Sequence, residues 1–270
     1  MSGPWDKANR KRVTANTAAW RARNPEKVAA SRKVAAPRQA RWHKEARYGL
    51  TRADFEGMLG RQHGRCLGCN SALTPGKGTH VDHDHATGKV RGLLCPNCNF
   101  TVGHAKESRA TMYQLAAYLE LDRSRPVVYL VGSLRNPKVL ELGNEIRALG
   151  IECVDNWYAA GERADDSWQA YSNARGRTYQ EALESREARH VFHFDRAYLN
   201  LADAVVLLYP AGKSGHIEFG YAVGRGKRGY ILQEEPADRY DVMLQFGTQL
   251  FHDQPSLLAT MREELLRRHA

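Results

Sequence analysis

The chain has 270 residues with a formal net charge of +10, 42% of them apolar and 26% charged. That length predicts two domains, each able to bury its own core. No apolar run reaches the roughly 18 residues of a membrane-spanning helix, and the basic start MSGPWDKANRKR lacks the apolar stretch of a secretory signal.

The charge is uneven. Residues 1–47 hold 13 Lys/Arg against 3 Asp/Glu, whereas residues 124–270 hold 18 against 20. Such a local excess predicts a polyanionic partner, most simply DNA, with Arg10, Lys11, Arg12, Arg21, Arg23 and Arg41 as its contacts. The alternative is a solvated charged tail. Asn24-Pro25-Glu26 reads as a helix start and Pro37 as an interruption, so short basic helices that order on DNA are expected. Trp5, Trp20 and Trp42 either pack on the next domain or stack on bases, packing being the favoured use.

Thr51 to His63 reads as a helix, with Thr51 and Asp54 placed as a capping box and Phe55, Met58, Leu59 and Gln62 along one face. Val81 to His85 is expected to pair with Lys89 to Leu94 through Ala86-Thr87-Gly88. A helix should begin after Cys98, placing Asn99 in its first turn. A second should run from Ser108 to about Leu121, with Met112, Leu115, Ala116 and Leu119 on one face. Asp122 to Pro126 reads as a linker.

Four of the five cysteines form two Cys-x-x-Cys pairs, Cys66/Cys69 and Cys95/Cys98. Two such pairs are the ligand set of a closed, structural zinc site in a reducing cytoplasm. Cys153, alone in the apolar run IECV, reads as a buried thiol. Between the pairs lies Asp82-His83-Asp84-His85. With the zinc shell filled by sulfur, chemistry falls to Asp82, His83, His85 and Asn99. His83 suits a base that activates water, and Asp82 and Asn99 supply oxygen ligands of the kind Mg²⁺ accepts. The alternative is a hydrogen-bonded hairpin turn without chemistry.

The segments YGLTRADFEGML, GRCLGCN and HVDHDHATGKVRGLLCPNCN resemble the recombination endonuclease VII family of His-Asn-His (ββα-metal) nucleases over residues 48–104. The resemblance implies zinc on the four cysteines, and catalytic Mg²⁺ or Mn²⁺ on Asp82 and Asn99. It also implies His83 as general base and His85 assisting at the phosphate. The basic Arg/Trp tail looks like the leader of phage-encoded members, which would place the protein in a host cytoplasm. The family's acidic residue just after the Asn is absent, since Phe100-Thr101-Val102 follow. The prototype's junction-binding C-terminal region is absent as well.

Beyond the linker the pattern changes. Val127 to Val131 is a continuous apolar run, typical of a strand buried on both faces. A helix opened by Asn136-Pro137, with Val139, Leu142, Ile146 and Leu149 inward, leads to a strand from Ile151 to Val154. Residues 156–177 read as a polar insertion, and Thr178 to about Leu201 as helical. Ala204 to Tyr209 and Gly229 to Gln233 are further strands, and Ser256 is expected to cap a C-terminal helix. A small open parallel α/β sheet of flavodoxin-like type fits this order. The small turn Gly132-Ser133-Leu134-Arg135 admits an anion or is only a tight connection. Glu218, after the glycine-rich turn Ala211 to Gly215, is either a nucleophile on an anomeric carbon or a helix acid.

VYLVGSLRNP and FDRAYLNLADAVVLLYPAGKSGHIEFGYAVGRGK resemble the nucleoside 2-deoxyribosyltransferase superfamily and its deoxynucleoside 5′-monophosphate N-glycosidases, over most of residues 127–235. The resemblance implies Glu218 as nucleophile, Asp195 supporting the sugar or protonating the base, and Tyr129 orienting the glutamate. Gly132, Ser133 and Arg135 would line the sugar-phosphate side of a nucleotide, and the family is often oligomeric. The acid that usually precedes the glutamate is replaced by Gly212-Lys213-Ser214-Gly215-His216, in which Lys213, Ser214 and His216 suit a phosphate. Such a domain either hydrolyses nucleotides or senses them. His193 reads as structural. The expected architecture is α+β and multidomain. A basic helical arm (1–47) precedes a zinc-stapled nuclease domain (48–122) and a deoxyribosyltransferase-like α/β domain (126–270).

Overall fold

The structure, a computed structural model, describes residues 4–29, 47–74, 78–236 and 240–267, without the side chains of 4–8, 10 and 11. The chain divides into two compact units, Met1–Glu107 and Ser108–Ala270. Among the described residues, no helix is long and apolar enough to cross a membrane.

The first unit starts with helix α1 (Pro4–Arg23), one continuous 20-residue element where shorter helices were expected. Asn24 ends it, its side-chain amide donating to Trp20 O at 2.8 Å, and a helical turn follows at 25–29. Residues 12–23 are exposed, Trp20 among them at 49%. Pro37, Arg41 and Trp42 lie outside the described residues, as do the side chains of Trp5, Arg10 and Lys11.

Helix α2 (Arg52–Arg61) carries the expected capping box: the Thr51 hydroxyl accepts from Asp54 N, and the Asp54 carboxylate accepts from Thr51 N. Strands β1 (His80–His83) and β2 (Val90–Leu94) form an antiparallel hairpin, and α3 (Pro96–His104) follows with Cys95 as its N-cap. The helix therefore starts before Cys98 rather than after it. Cys66, Leu73, Val81, Leu93 and Leu94 form the buried centre, with Phe55, Met58 and Leu59 of α2 against them. Gln62 joins helix to hairpin through both ends of its amide: Oε1 accepts from Leu93 N at 2.9 Å and Nε2 donates to Leu93 O at 3.0 Å.

The second unit opens with α4 (Arg109–Glu120), capped by Ser108. This helix lies inside the segment that composition grouped with the zinc module, yet it packs on α8 (Arg186–Leu201) of the second unit. The inward face also differs from the predicted one. Ala117 is buried, Tyr113 packs beside it, and Gln114 accepts from Asn200 Nδ2 at 3.0 Å. Met112, Leu115 and Leu119 stay exposed, Leu119 by 81%. Polar anchors to α8 fix the helix rotation in place of the apolar stripe.

Strands β3 (Val127–Val131), β4 (Glu152–Val154), β5 (Ala204–Leu208), β6 (Arg228–Leu232) and β7 (Gln249–Phe251) form a five-stranded parallel sheet in the order β4-β3-β5-β6-β7. Renumbered by appearance this is 2-1-3-4-5, the flavodoxin-like doubly wound order. Alternation along β3 sends Val128 and Leu130 to one face and Val127, Tyr129 and Val131 to the other. The first face is covered by α5 (Lys138–Ala148) and α10 (Gln254–Met261), the second by α8 and α9 (Lys213–Gly224). The supposed polar insertion contains a short 3₁₀ turn and helix α6 (Ala164–Ala174). The helical region after Thr178 is split into α7 (Tyr179–Leu183) and α8 by Ser185, which caps α8. The cap of α10 is Asp253, not Ser256. Its carboxylate accepts from Ser256 N at 2.8 Å, so Ser256 is already inside the first turn.

Candidate functional sites

The four cysteine sulfurs lie within 4.8 Å of one another, and Cys69 Sγ and Cys95 Sγ are 3.8 Å apart. A tetrahedron with metal–sulfur bonds of about 2.3 Å has an edge of about 3.8 Å, so this donor set fits zinc. Backbone N–H groups already donate to the sulfurs. Cys66 Sγ accepts from Gly68 N at 3.3 Å and Cys95 N at 3.2 Å, and Cys95 Sγ accepts from Cys98 N at 3.5 Å. Ser71, whose hydroxyl is 3.0 Å from Cys69 Sγ, brings that thiol down to about 6. A Cβ on Gly68 would meet Cys98 Sγ at 2.8 Å, so only glycine fits under the sulfur cluster.

The hairpin next to it presents the polar cluster. Strict alternation would send Asp82 and His83 to opposite faces. The register shifts between these two residues, and this irregularity re-aims the strand. Asp82, His83 and His85 consequently line one cavity of about 360 Å³, together with His80, Tyr48 and, from α3, Asn99. The cysteine pairs flank β2 and the start of α3, and α3, which carries Asn99, packs against β1. His83 lies between two rings, with centroids 5.1 Å from Tyr48 and 4.8 Å from His85. Asp82 and Asn99 offer hard oxygen donors to this cavity and so fit a hard divalent cation by chemistry. The Asp82 carboxylate is also gripped by Arg91, Nε to Oδ2 at 2.7 Å and NH2 to Oδ1 at 3.1 Å.

Asp84 has a different task. Its Oδ1 accepts from Ala86 N, Thr87 N and Thr87 Oγ1 at 3.0, 2.8 and 3.0 Å, building the hairpin turn. These bonds, the Thr87 backbone first, hold its carboxyl below the usual range. The sequence reading missed Glu107. It lines the same cavity, with a carboxylate oxygen 2.9 Å from His85 Nδ1 and accepting from Arg91 NH2 at 3.1 Å. Lys106 and Glu107 both have positive φ, 52° and 56°. Such backbone costs non-glycine residues about 1 kcal/mol or more each and persists where the surroundings impose it. No local pattern marks a carboxylate that reaches a site from beyond a helix end.

In the second unit Tyr129 projects from β3 onto the face covered by α8 and α9. Asp195 falls in the stripe of α8 that continues to the buried Tyr198 and Leu199, and Glu218 in the stripe of α9 between buried Gly215 and Ala222. Two carboxyls on apolar stripes facing one sheet lose hydration, which disfavours their charge. Burial pushes Asp195 up to about 6. Burial first, and then the charge of Asp195, push Glu218 up to about 7. The Tyr129 phenol is raised by burial and then by Glu218 and Asp195. Glu218 is the sixth residue of α9, so the helix-acid alternative of a first-turn carboxylate does not apply.

This site lies at the carboxyl ends of β3 and β5, where the strand order reverses and open α/β sheets bind ligands. A Cβ on Gly215 would meet Val131 Cγ1 at 3.0 Å, so glycine lets α9 approach β3 closely. Ser133 Oγ accepts from Arg135 N at 3.1 Å, and Arg135 pairs with Asp166 at 3.1 Å. His216 Nδ1 is 2.8 Å from Gly212 O and its Nε2 is 2.8 Å from Tyr209 Oη, which fixes the ring. Ser214 and Lys213 are exposed beside it. Cys153 is buried, as read from its apolar run, and burial raises its thiol. His193 stacks on Tyr113 with centroids 5.6 Å apart.

Residues 41–121 match the family model of recombination endonuclease VII. Gene 59 protein of Mycobacterium phage D29 and that of Mycobacterium phage L5 are each 39% identical over 88 residues, 32% of this chain and 52% of the relative. The chain spans about half the length of the curated relatives it matches. A solved structure of a 2-deoxyribosyltransferase from Bacillus psychrosaccharolyticus aligns over 49% of this chain and 90% of its own, with 15% identity and a TM-score of 0.34.

Proposed function

We propose that the first unit is a metal-dependent DNA endonuclease of endonuclease VII type. The observation that carries it is the single cavity shared by Asp82, His83, His85 and Asn99 beside four cysteines set for zinc. Zinc on Cys66, Cys69, Cys95 and Cys98 is a staple, because four sulfurs leave it no open position. Asp82 and Asn99 would hold Mg²⁺ or Mn²⁺, which when bound neutralises charge on the scissile phosphate. His83 takes a proton from water, whose oxygen attacks phosphorus while the P–O bond to the leaving oxygen breaks. His85 assists at the phosphate. The exposed arginines of α1, Arg12, Arg21 and Arg23, would lie along the DNA backbone, with Arg10, Lys11 and Arg41 added from the sequence.

The test is a nicking assay on supercoiled and linear DNA with Mg²⁺ or Mn²⁺, comparing the full chain with His83→Ala. Cleavage should fall about 100-fold or more, while DNA binding stays within about twofold. Surviving cleavage in the variant removes His83 from the mechanism. A wild-type chain that binds DNA but never cuts it would be a zinc-stapled binding module.

For the second unit we propose a nucleotide N-glycosidic activity, supported by the half-buried, mutually interacting Asp195 and Glu218. Burial raises both carboxyls, to about 6 and about 7, so the pair retains a shared proton near neutral pH that release of a base can draw on. Glu218 is the nucleophile, Asp195 serves the sugar or base, and Tyr129 orients Glu218. Gly132, Ser133, Arg135, Ser214 and His216 line the sugar-phosphate side. Free base released from deoxynucleoside monophosphates, and lost in Glu218→Gln, supports this reading. Tight binding without turnover supports the second one, a nucleotide sensor that gates the nuclease in a defence or counter-defence effector. Gel filtration with and without nucleotide tests for a homo-oligomer. Action in the host cytoplasm accords with the phage relatives.

A further inference from the structure

Glu107 is the feature of the first unit that its proposed chemistry does not use. Its carboxylate is 18% exposed, whereas the His85 ring it meets is 66% exposed. One oxygen is shared by His85 Nδ1 at 2.9 Å and Arg91 NH2 at 3.1 Å, and the other is 3.4 Å from His85 N. Glu107 thus touches both backbone and ring of one histidine. Arg91, fixed in turn by Asp82, keeps the carboxylate from swinging away. The turn that delivers it is held by Lys106 N donating to Gly103 O at 2.9 Å and Glu107 N donating to Val102 O at 3.0 Å. Both turn residues accept a left-handed backbone that glycine would adopt more cheaply. A carboxylate delivered by strained backbone onto an exposed imidazole at the rim of a polar cavity is a positioning arrangement.

We propose that Glu107 is the positioning residue of His85. It fixes the ring's rotation and tautomer so that Nε2 is the nitrogen offered to substrate phosphate. A carboxylate oxygen 2.9 Å from Nδ1 favours the tautomer with its proton on that nitrogen. The sequence has no acid directly after Asn99, and here one arrives eight positions later in the chain, from beyond the end of α3. The inference rests on the nuclease reading and adds a residue to it.

The experiment uses the full-length chain with zinc bound, in wild-type, Glu107→Ala, Glu107→Asp, His85→Ala and His85→Ala/Glu107→Ala forms. In Glu107→Ala, kcat for DNA nicking should drop about 10-fold or more with KM little changed. Glu107→Asp should recover part of the loss. In the His85→Ala background the same Glu107 change should cost nothing further, because its target is gone. Nitrogen–proton correlation spectra of the imidazoles should show His85 protonated at Nδ1 in the wild type and a mixed tautomer in Glu107→Ala. Full activity in Glu107→Ala, an unchanged tautomer, or an equal loss in both backgrounds would overturn the inference. The last result would trace the effect to Arg91. A wild-type chain that cuts no DNA overturns the nuclease reading itself, and the tautomer spectra separate that failure from this one.

Discussion

The two units hold their polar groups in place by opposite means. In the first, the buried cluster among the described residues is five side chains, and the polar groups of the cavity sit partly exposed on a hairpin and a short helix. Position there comes from four sulfurs set for one metal and from ion pairs that link Asp82, Arg91, Glu107 and His85. In the second, sixteen buried residues on one sheet face and fourteen on the other fix the elements, and two carboxyls are pressed into apolar surroundings. A small core relies on charge pairs, and on a sulfur cluster that fits a metal, to gain precision. A large core can bury charge and so shift its protonation instead.

Metal removal should break this comparison most sharply. In zinc-dependent modules the ion supplies about 10–16 kcal/mol of folding free energy. Stripping the metal from the full chain with a chelator should abolish amide protection across α2, β1, β2 and α3. The sheet of the second unit should keep its protection and its melting temperature. Metal analysis should give one zinc per chain beforehand. Unchanged protection in the hairpin after chelation would mean that the cysteine cluster is no staple.

A pH series sharpens the other half. Glu218 and Asp195 have folded pKa values raised above their unfolded ones, so the folded unit holds more protons than the unfolded chain between about pH 4 and pH 7. Their contribution to stability is therefore greatest below that window and falls as pH rises through it. Glu218→Gln should raise the stability of the second unit at pH 8 by about 2 kcal/mol and change it little at pH 4. A variant equally stabilised at both pH values would show that the carboxyl is not desolvated. The smallest effect expected is local. Thr51→Ala removes the capping box of α2 and should cost about 1 kcal/mol, read as a lower melting temperature of the first unit alone.

Much of both sites was legible because short-range chemistry dictates it. The Thr51–Asp54 box, the cysteine pairs, the hairpin and strands β3 to β6 follow from spacing and apolar runs that need no distant partner. What escaped depends on partners far along the chain. Strand β7 is three residues long and exists through its pairing with β6. Helix α6 carries few buried side chains, so its segment reads as polar. The rotation of α4 is set by Tyr113 to His190 and Gln114 to Asn200, bonds that no periodicity reveals. Asp253 outcompetes Ser256 as a cap because the chain before it is extended, and Glu107 reaches His85 through a left-handed turn.

The strand order has a consequence for timing during synthesis. Hairpin β1–β2 pairs His80 with Leu94, so everything the first unit needs has emerged once Glu107 is clear of the ribosome. The central pair of the second unit joins Val128 to Ala204, and the next joins Val205 to Gly229. Such distant parallel pairings close late and slowly, and domains generally fold in the order they are made. The hairpin beside the four cysteines would then be finished on the nascent chain while β3, with edge strand β4 alone to pair with, still waits for β5 to be translated.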